Sequence, residues 1–422
     1  MKFCVYTLGC KVNYYESEAI LNKLKEYGDI TTMLEFADVY IINTCAVTNE
    51  AEHKSRGIIA KINKINPNAK IYVLGCSSAL HSEDYLHKQN VCAVMGTAQK
   101  ERVVDLVLNE IKGKVDTIDE TEYNDKLSIS GDRIRSFIKI QDGCNNFCTY
   151  CIIPYTRGRE RSRTLSSISS ELEVVTKNSQ EVVLVGINIA GYGKDLCPQK
   201  TLVDVVNLFK NYPRVRLRFS SFEMGTLTDE LLFALSHLPA FCPFFHLALQ
   251  SGDDETLKKM NRKYTTADYL QAVEKIRSYF PNATISTDII VGFPTENEEQ
   301  FNNCLNFVKK CNFAFMHIFP YSKRAGTVAE KWGTLNGNIV KNRVAKMTEL
   351  ALAQKYKFIK ENAGKTDEVL IETTQNGFLE GYTKGYIKCY IKSDCTALIN
   401  KVVKVKLLQP YKDGIKGELI YE

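Results

Sequence analysis

The stretch Phe137-Ile138-Lys139-Ile140-Gln141-Asp142-Gly143-Cys144-Asn145-Asn146-Phe147-Cys148-Thr149-Tyr150-Cys151 decides the fold. Its first five residues read as a short strand. A glycine then releases the chain into a loop with cysteines spaced C-x3-C-x2-C. Iron–sulfur clusters are held by cysteine thiolates, normally about four per cluster. Three thiolates in so short a loop can hold three corners of a 4Fe–4S cube and leave the last iron open, and an open metal position is where chemistry takes place. The competing readings are a zinc knuckle and buried free thiols. A zinc knuckle favours paired C-x2-C units with a fourth ligand, and neither a second pair nor a nearby histidine follows.

Outward from this loop, short apolar runs alternate with amphipathic segments. Strands are expected at 137–141, 182–185, 215–219, 245–249, 285–291 and 313–319, with helices at 202–209, 230–238, 268–279 and 299–310. Thr228, Thr266 and Thr295 read as helix caps. A βα unit repeated six times predicts an open (β/α)6 partial barrel, a relative of the eightfold barrel whose active sites lie at the strand C-termini. A helix over 339–363 closes this unit.

The N-terminal part follows the same alternation, with strands at 2–7, 39–42 and 71–74 and helices at 14–27 and 51–65, which predicts a parallel α/β sheet. Its three strands end alike, in Leu8-Gly9-Cys10, Asn43-Thr44-Cys45 and Leu74-Gly75-Cys76. Ligands of open α/β sheets bind outside the carboxyl ends of the strands. Such a fold gathers Cys10, Cys45 and Cys76 from distant sequence, and repetition at equivalent positions favours a second cluster site over three separate packed thiols. The polar, acidic segment 117–132 reads as a linker. Beyond 365, β-rich runs at 368–372, 385–391 and 401–408 are punctuated by glycines and predict a small β-barrel. Domain boundaries are therefore expected at 1–120, 133–356 and 365–422. Ala363-Gly364-Lys365-Thr366 is no phosphate-binding loop, because Ile359 stands where the first glycine belongs.

A chain of 422 residues with 44% hydrophobic and 25% charged content is that of a soluble multidomain protein. No secretory leader or apolar run of membrane-spanning length is present, so a reducing cytoplasm is expected, with no membrane partner, and the 14 cysteines read as ligands and small hydrophobes. The remaining cysteines and the six histidines form no ligand pattern. Net charge is only +6, but Arg157, Arg159, Arg161 and Arg163 follow the cysteine loop, with Arg133, Arg135 and Lys139 before it. These suggest a basic rim able to meet phosphates. Solvated strand-edge charges are the plainer alternative.

The cysteine triplet resembles the radical S-adenosylmethionine (SAM) superfamily. Three features together resemble its methylthiotransferase family: Thr7-Leu8-Gly9-Cys10-Lys11-Val12-Asn13 with Asn43-Thr44-Cys45, the triplet running into Ile153-Pro154-Tyr155-Thr156-Arg157-Gly158-Arg159, and the terminal β module, which looks like a TRAM domain. The resemblance covers essentially the whole chain. Gly-Cys-Lys-Val-Asn at the first cysteine is similar to the branch acting on threonylcarbamoyladenosine 3′ of the tRNA anticodon, with Tyr14 departing from the glutamine usual there. Sister branches act on isopentenyladenosine or on a ribosomal protein.

The resemblance implies two 4Fe–4S clusters: Cys144, Cys148 and Cys151 hold the one that cleaves SAM to a 5′-deoxyadenosyl radical, and Cys10, Cys45 and Cys76 hold one carrying the sulfur to be inserted. SAM is then both radical source and methyl donor, tRNA is the partner through its anticodon stem-loop, and an electron donor such as flavodoxin or ferredoxin is needed. The sulfur donor stays open. Candidate SAM contacts lie at the barrel strand ends: Gly186, Asn188, Glu223, Gln250, Ser251 and Asp288, with Arg262 as a carboxylate clamp. Another radical SAM reaction, or a non-enzymatic iron–sulfur protein, are the rival readings.

Overall fold

The structure, a computed structural model, describes residues 1–115 and 134–420. The expected linker at 117–132, and Arg133, lie outside the described residues.

The N-terminal unit is a six-stranded sheet of Lys2–Thr7 (β1), Asp29–Thr31 (β2), Val39–Thr44 (β3), Lys70–Gly75 (β4), Val91–Met95 (β5) and Gly113–Val115 (β6). Its order is β2-β1-β3-β4-β5-β6, and every neighbouring pair is parallel. Apolar side chains pack on both faces: Phe3, Val5, Ile41 and Leu74 on one, Cys4, Tyr40, Ile42 and Val73 on the other. Burial on both faces is why these strands read as continuous apolar runs rather than alternating ones. The chain turns in opposite directions from β1 to β2 and from β1 to β3, so the crevice that such sheets offer to ligands opens at the β1 and β3 carboxyl ends. The first helix, Lys11–Leu24, starts directly from Cys10, three residues before the expected start.

The central unit continues with Arg135–Lys139 (β7), a two-residue antiparallel pair of Gln141–Asp142 (β8) and Arg161–Ser162 (β9), then Glu181–Val185 (β10), Arg216–Phe219 (β11), Phe244–His246 (β12), Thr284–Val291 (β13) and Phe315–Pro320 (β14). Two parallel sheets, β7-β10-β11 and β12-β13-β14, are joined by the bridges Leu217↔Phe241 and Phe222↔Leu247. The result is the expected open barrel of six parallel strands, wrapped by helices over one apolar core that includes Ile138, Leu184, Phe219, Phe245 and Ile289. Two of the expected caps move: Thr265, not Thr266, caps Thr266–Tyr279, and Asn297, not Thr295, caps Glu298–Cys311. Each forms a reciprocal capping box with the side chain three residues on, and that pairing fixes the start. Thr228 caps Asp229–Ser236 as expected.

After the long helix Gly337–Glu361, strands Thr366–Gln375 (β15), Phe378–Thr383 (β16), Lys388–Lys392 (β17), Val402–Tyr411 (β18) and Gly414–Leu419 (β19) close into a barrel of order β15-β16-β17-β19-β18. This barrel docks on the central unit through an ion pair and hydrogen bonds to its backbone. Arg135 meets Glu372 in a two-point contact at 2.8 and 3.0 Å, and Arg218 donates to the Lys384 carbonyl at 3.0 Å. No helix among the described residues is long and apolar enough to cross a membrane.

Candidate metal centres and the adjoining cavity

Cys45 and Cys76 directly follow β3 and β4, and Cys10 lies three residues beyond the end of β1. The three lie together: Cys76 and Cys10 both reach Cys45 electrostatically. Gly9 holds φ at +107°, and a Cβ there would stand 2.9 Å from the Cys45 sulfur, so only glycine lets the two strand ends approach. Burial pushes the Cys45 thiol up to about 11, leaving it protonated at neutral pH unless a metal binds it.

The second set occupies the loop after β8. Cys148 and Cys144 both reach Cys151, and burial pushes Cys144 up to about 11 and Cys151 up to about 12. Gly143 turns the chain with φ +70° so closely that a Cβ would meet the Arg159 carbonyl oxygen at 1.9 Å. The two sets are neighbours. Ile152, directly after Cys151, packs against Cys76 and Ala46, and Thr97 Oγ1 donates to the Thr156 carbonyl at 2.6 Å.

Between them lies a buried ion network, which corrects the expected phosphate-facing rim. Arg157 donates to Glu16 Oε1 at 2.9 Å, to Asp142 Oδ1 at 3.0 Å and to Asn13 Oδ1 at 2.7 Å. Lys139 pairs with Glu16 at 3.0 Å and Asp142 at 2.7 Å, and Lys100 pairs with Glu16. Arg161 and Arg163 are also buried, Arg163 against Glu171 and Tyr15. Arg159 alone stays with the loop, its guanidinium 4.6 Å from the Phe147 ring centre. Burial pushes the Glu16 carboxyl up, but Arg157, Lys100 and Lys139 together hold it well below the ordinary carboxylate range. Four cations, Arg157, Lys139, Lys100 and, at 3.8 Å from Asp142, Arg161, thus share the two carboxylates Glu16 and Asp142, and Arg157 reaches both Cys45 and Cys76. An excess of positive charge in a low-dielectric interior favours thiolate over thiol, which fits the donor set to an anionic metal–sulfur group.

A cavity of about 300 Å³ opens beside Cys148, lined by Asn188, Glu223, Arg262 and Tyr264 among others. Arg262 pairs with Glu223, donates toward the Cys148 sulfur at 3.4 Å and stacks on Tyr264 with 5.0 Å to the ring centre. Asn188 donates to Glu160 Oε1 at 2.7 Å, while its own buried Oδ1 has no partner. Three of the expected cofactor residues, Asn188, Glu223 and Arg262, therefore line one cavity. Gly186 does not line it: a Cβ there would press on Ile189 at 2.9 Å and on Gln141 at 3.2 Å. Ser251 is placed elsewhere: it is buried beside Cys304, and the following amide of Gly252 donates to that sulfur at 3.1 Å. Gln250 lies beyond β12, tied by an isolated bridge to Ile289, with φ +71°. Glu160 and Tyr264, which sequence reasoning passed over, complete the cavity wall.

Asp288 faces the barrel lumen rather than this cavity. Its neighbours Ile289 and Ile285 belong to the outer core, so Ser286 and Asp288 point inward by strand alternation. Asp288 lies 3.3 Å from His246 Nε2, whose Nδ1 is 2.9 Å from Ser286 Oγ, and His317 completes a group whose ligand atoms lie within 4.8 Å of one another. Sequence reasoning missed this trio because its members come from three different strands.

Comparison with known proteins agrees with this geometry. Residues 138–308 match the radical SAM superfamily, and residues 2–96 match uncharacterized protein family UPF0004. The chain is 36% identical to the threonylcarbamoyladenosine tRNA methylthiotransferase MtaB of Bacillus subtilis, over 97% of this chain and 95% of that protein. It is 37% identical to MtaB of Thermotoga maritima over 89% of this chain and 88% of that one. A tRNA-2-methylthio-N(6)-dimethylallyladenosine synthase of Thermoanaerobacter is 35% identical over 99% of this chain and 92% of that protein. Among solved structures, the radical S-adenosylmethionine methyltransferase TsrM of Kitasatospora setae shares the fold, with TM-score 0.54 at 12% identity over 78% of this chain and 74% of that one.

Proposed function

The chain belongs to the radical SAM tRNA methylthiotransferases, and on that footing we propose that it adds a methylthio group to carbon 2 of N6-threonylcarbamoyladenosine beside the tRNA anticodon. In this reading Cys144, Cys148 and Cys151 hold one 4Fe–4S cluster and Cys10, Cys45 and Cys76 hold a second. The functional units are 1–120, 133–356 and 365–422. Carbon 2 of adenine carries an unactivated C–H bond that no side-chain base can open. The bound clusters and SAM supply what the protein lacks: reductive radical chemistry, the sulfur and the methyl group. The electrons come from an external donor such as flavodoxin or ferredoxin.

The chain's own residues bind and orient. Arg262 sets a permanent positive charge beside Cys148, and Arg157 does the same for Cys76 and Cys45. Asn188 offers an unpaired buried oxygen, and Glu223 a carboxylate, to the polar groups of SAM. The observation that carries the proposal is the apposition of the two cysteine sets through Ile152 and Cys76. Radical generation needs one set, and delivery of sulfur to the same substrate needs another close by.

Nucleoside mass spectrometry of tRNA from a strain lacking this gene tests the reading. The 2-methylthio derivative of threonylcarbamoyladenosine should vanish and return with the wild-type gene but not with Cys45→Ala. Its persistence, with no redundant enzyme present, overturns the substrate assignment. Loss of the methylthio isopentenyl derivative instead moves the chain to the sister branch, to which it is nearly as similar.

A further inference from the structure

Resting on the proposed substrate, we infer that Lys11 is a specificity-determining residue that pairs with the threonyl carboxylate while carbon 2 is modified. Lys11 directly follows Cys10, and its side chain remains accessible. The next residue, Val12, packs on Val183 and Val185 of β10, which seats this helix start against the partial barrel, and the Lys11 ammonium, its pKa drawn down by burial, lies within electrostatic reach of Arg135, Arg218, Tyr386 and His317. Lys11 therefore stands where the N-terminal sheet, the partial barrel and the terminal barrel meet.

Both nearby arginines are already committed. Arg135 makes its two-point pair with Glu372, and Arg218 pairs with Glu181 at 2.7 and 3.1 Å. Each also lies over the Tyr386 ring, at 5.4 and 4.9 Å from its centre. Lys11 has no ion pair or hydrogen bond among the described residues. It is the uncommitted cation of this group, and an anionic ligand is what it lacks.

The covalent layout of the base points to the same place. Carbon 2 of adenine is one ring atom removed from carbon 6, which bears the N6 substituent. A residue reading that substituent must lie close to the group that delivers sulfur, and Lys11 adjoins Cys10. The threonylcarbamoyl group also carries a hydroxyl and ureido hydrogens, and the lumen trio His246, Asp288 and His317 offers acceptors and donors for them. An isopentenyl group, which is apolar and uncharged, would leave the lysine and these polar groups unpaired. A site built for a polar group rejects an analogue lacking it far more strongly than an apolar pocket rejects an extra methylene.

The test is a chemical double-mutant cycle on the reconstituted enzyme. Wild type, Lys11→Met and Lys11→Arg are assayed on an anticodon stem-loop carrying threonylcarbamoyladenosine and on the same stem-loop with the threonyl carboxylate methyl-esterified. Failure of wild type to methylthiolate the parent substrate sinks the functional reading itself. Given that activity, Lys11→Met should lower kcat/KM on the acid about 100-fold or more, mainly through KM, and Lys11→Arg should restore part of it. The ester should be equally poor with wild type, and on it wild type and Lys11→Met should agree within about threefold. Equal losses on acid and ester for Lys11→Met, or wild type using the ester as well as the acid, overturn the inference. The second result does so without any variant.

Discussion

Glu16, on the first helix of the N-terminal unit, and Arg157, in the turn behind the central cysteine loop, are bonded at 2.9 Å inside the protein although 141 residues separate them. The pair joins the two units and stands beside both cysteine sets. Removing one partner of a buried pair leaves an uncompensated charge, at a cost of about 3–5 kcal/mol. Glu16→Gln should therefore lower the unfolding free energy obtained from urea denaturation by an amount in that range. Arg157→Met, which removes the positive charge reaching Cys45 and Cys76, should in addition lower the iron retained per chain.

The same network sets an acid limit on stability. Glu16 and Asp142 are both held well below their ordinary values in the folded protein, burial being outweighed by Arg157 and its lysine neighbours. A depressed carboxyl stabilises the fold fully above its unfolded pKa, about 4. That contribution drains away as pH falls below this value and through the depressed folded one. The stability gap between wild type and Glu16→Gln should be full at pH 7, begin to close below about pH 4.5 and narrow further with acid. A gap that instead widened on acidification would contradict the network described.

Gly143 gives a backbone test of the central loop. With φ +70° and the Arg159 carbonyl oxygen 1.9 Å from the position of a Cβ, alanine cannot be accommodated without moving the chain that carries Cys144. The conformational cost alone is of order 1 kcal/mol, and the backbone clash adds to it. Gly143→Ala should fold less stably and lose the signal of the SAM-binding cluster in electron paramagnetic resonance. Gly57→Ala, at a helix site with open space around the Cβ, is the matched control: it should keep the cluster signal and fold at least as stably as wild type.

The parts of this architecture that were legible in sequence are those set by local periodicity and spacing. The C-x3-C-x2-C loop, the three strand ends bearing Cys10, Cys45 and Cys76, and the six βα units all appear where their patterns place them. What escaped depends on partners distant in sequence. The alternating Arg157, Arg161 and Arg163 look like a solvated edge, because nothing local reveals Glu16, Asp142 and Glu171 waiting to neutralise them. The strand Phe378–Thr383 was hidden by Gly381, which reads as a breaker. In the barrel that glycine sits where a Cβ would meet the Leu370 carbonyl oxygen at 2.1 Å, so close backbone approach, not chain reversal, requires it. Ser251 and Asp288 follow the expected strands, but their side chains are steered by packing against Cys304 and by the lumen histidines.

The two cysteine sets make separable contributions, and that separability is the sharpest check on the pairing. Cys45 is buried at the N-terminal sheet edge, while Cys148 faces Arg262 and the cavity. Cys45→Ala should retain about half the wild-type iron after anaerobic reconstitution if, as proposed, each set holds one cluster. It should still cleave SAM to 5′-deoxyadenosine but yield no methylthiolated nucleoside. Cys148→Ala should lose SAM cleavage altogether while keeping the complementary half of the iron. Arg262→Lys keeps the charge and loses the planar fork that spans Glu223 and Cys148. It should slow cleavage while leaving iron content near wild type. A Cys45→Ala protein with full iron and full methylthiolation would mean that the N-terminal cysteines are packing residues, and that one cluster does all the chemistry.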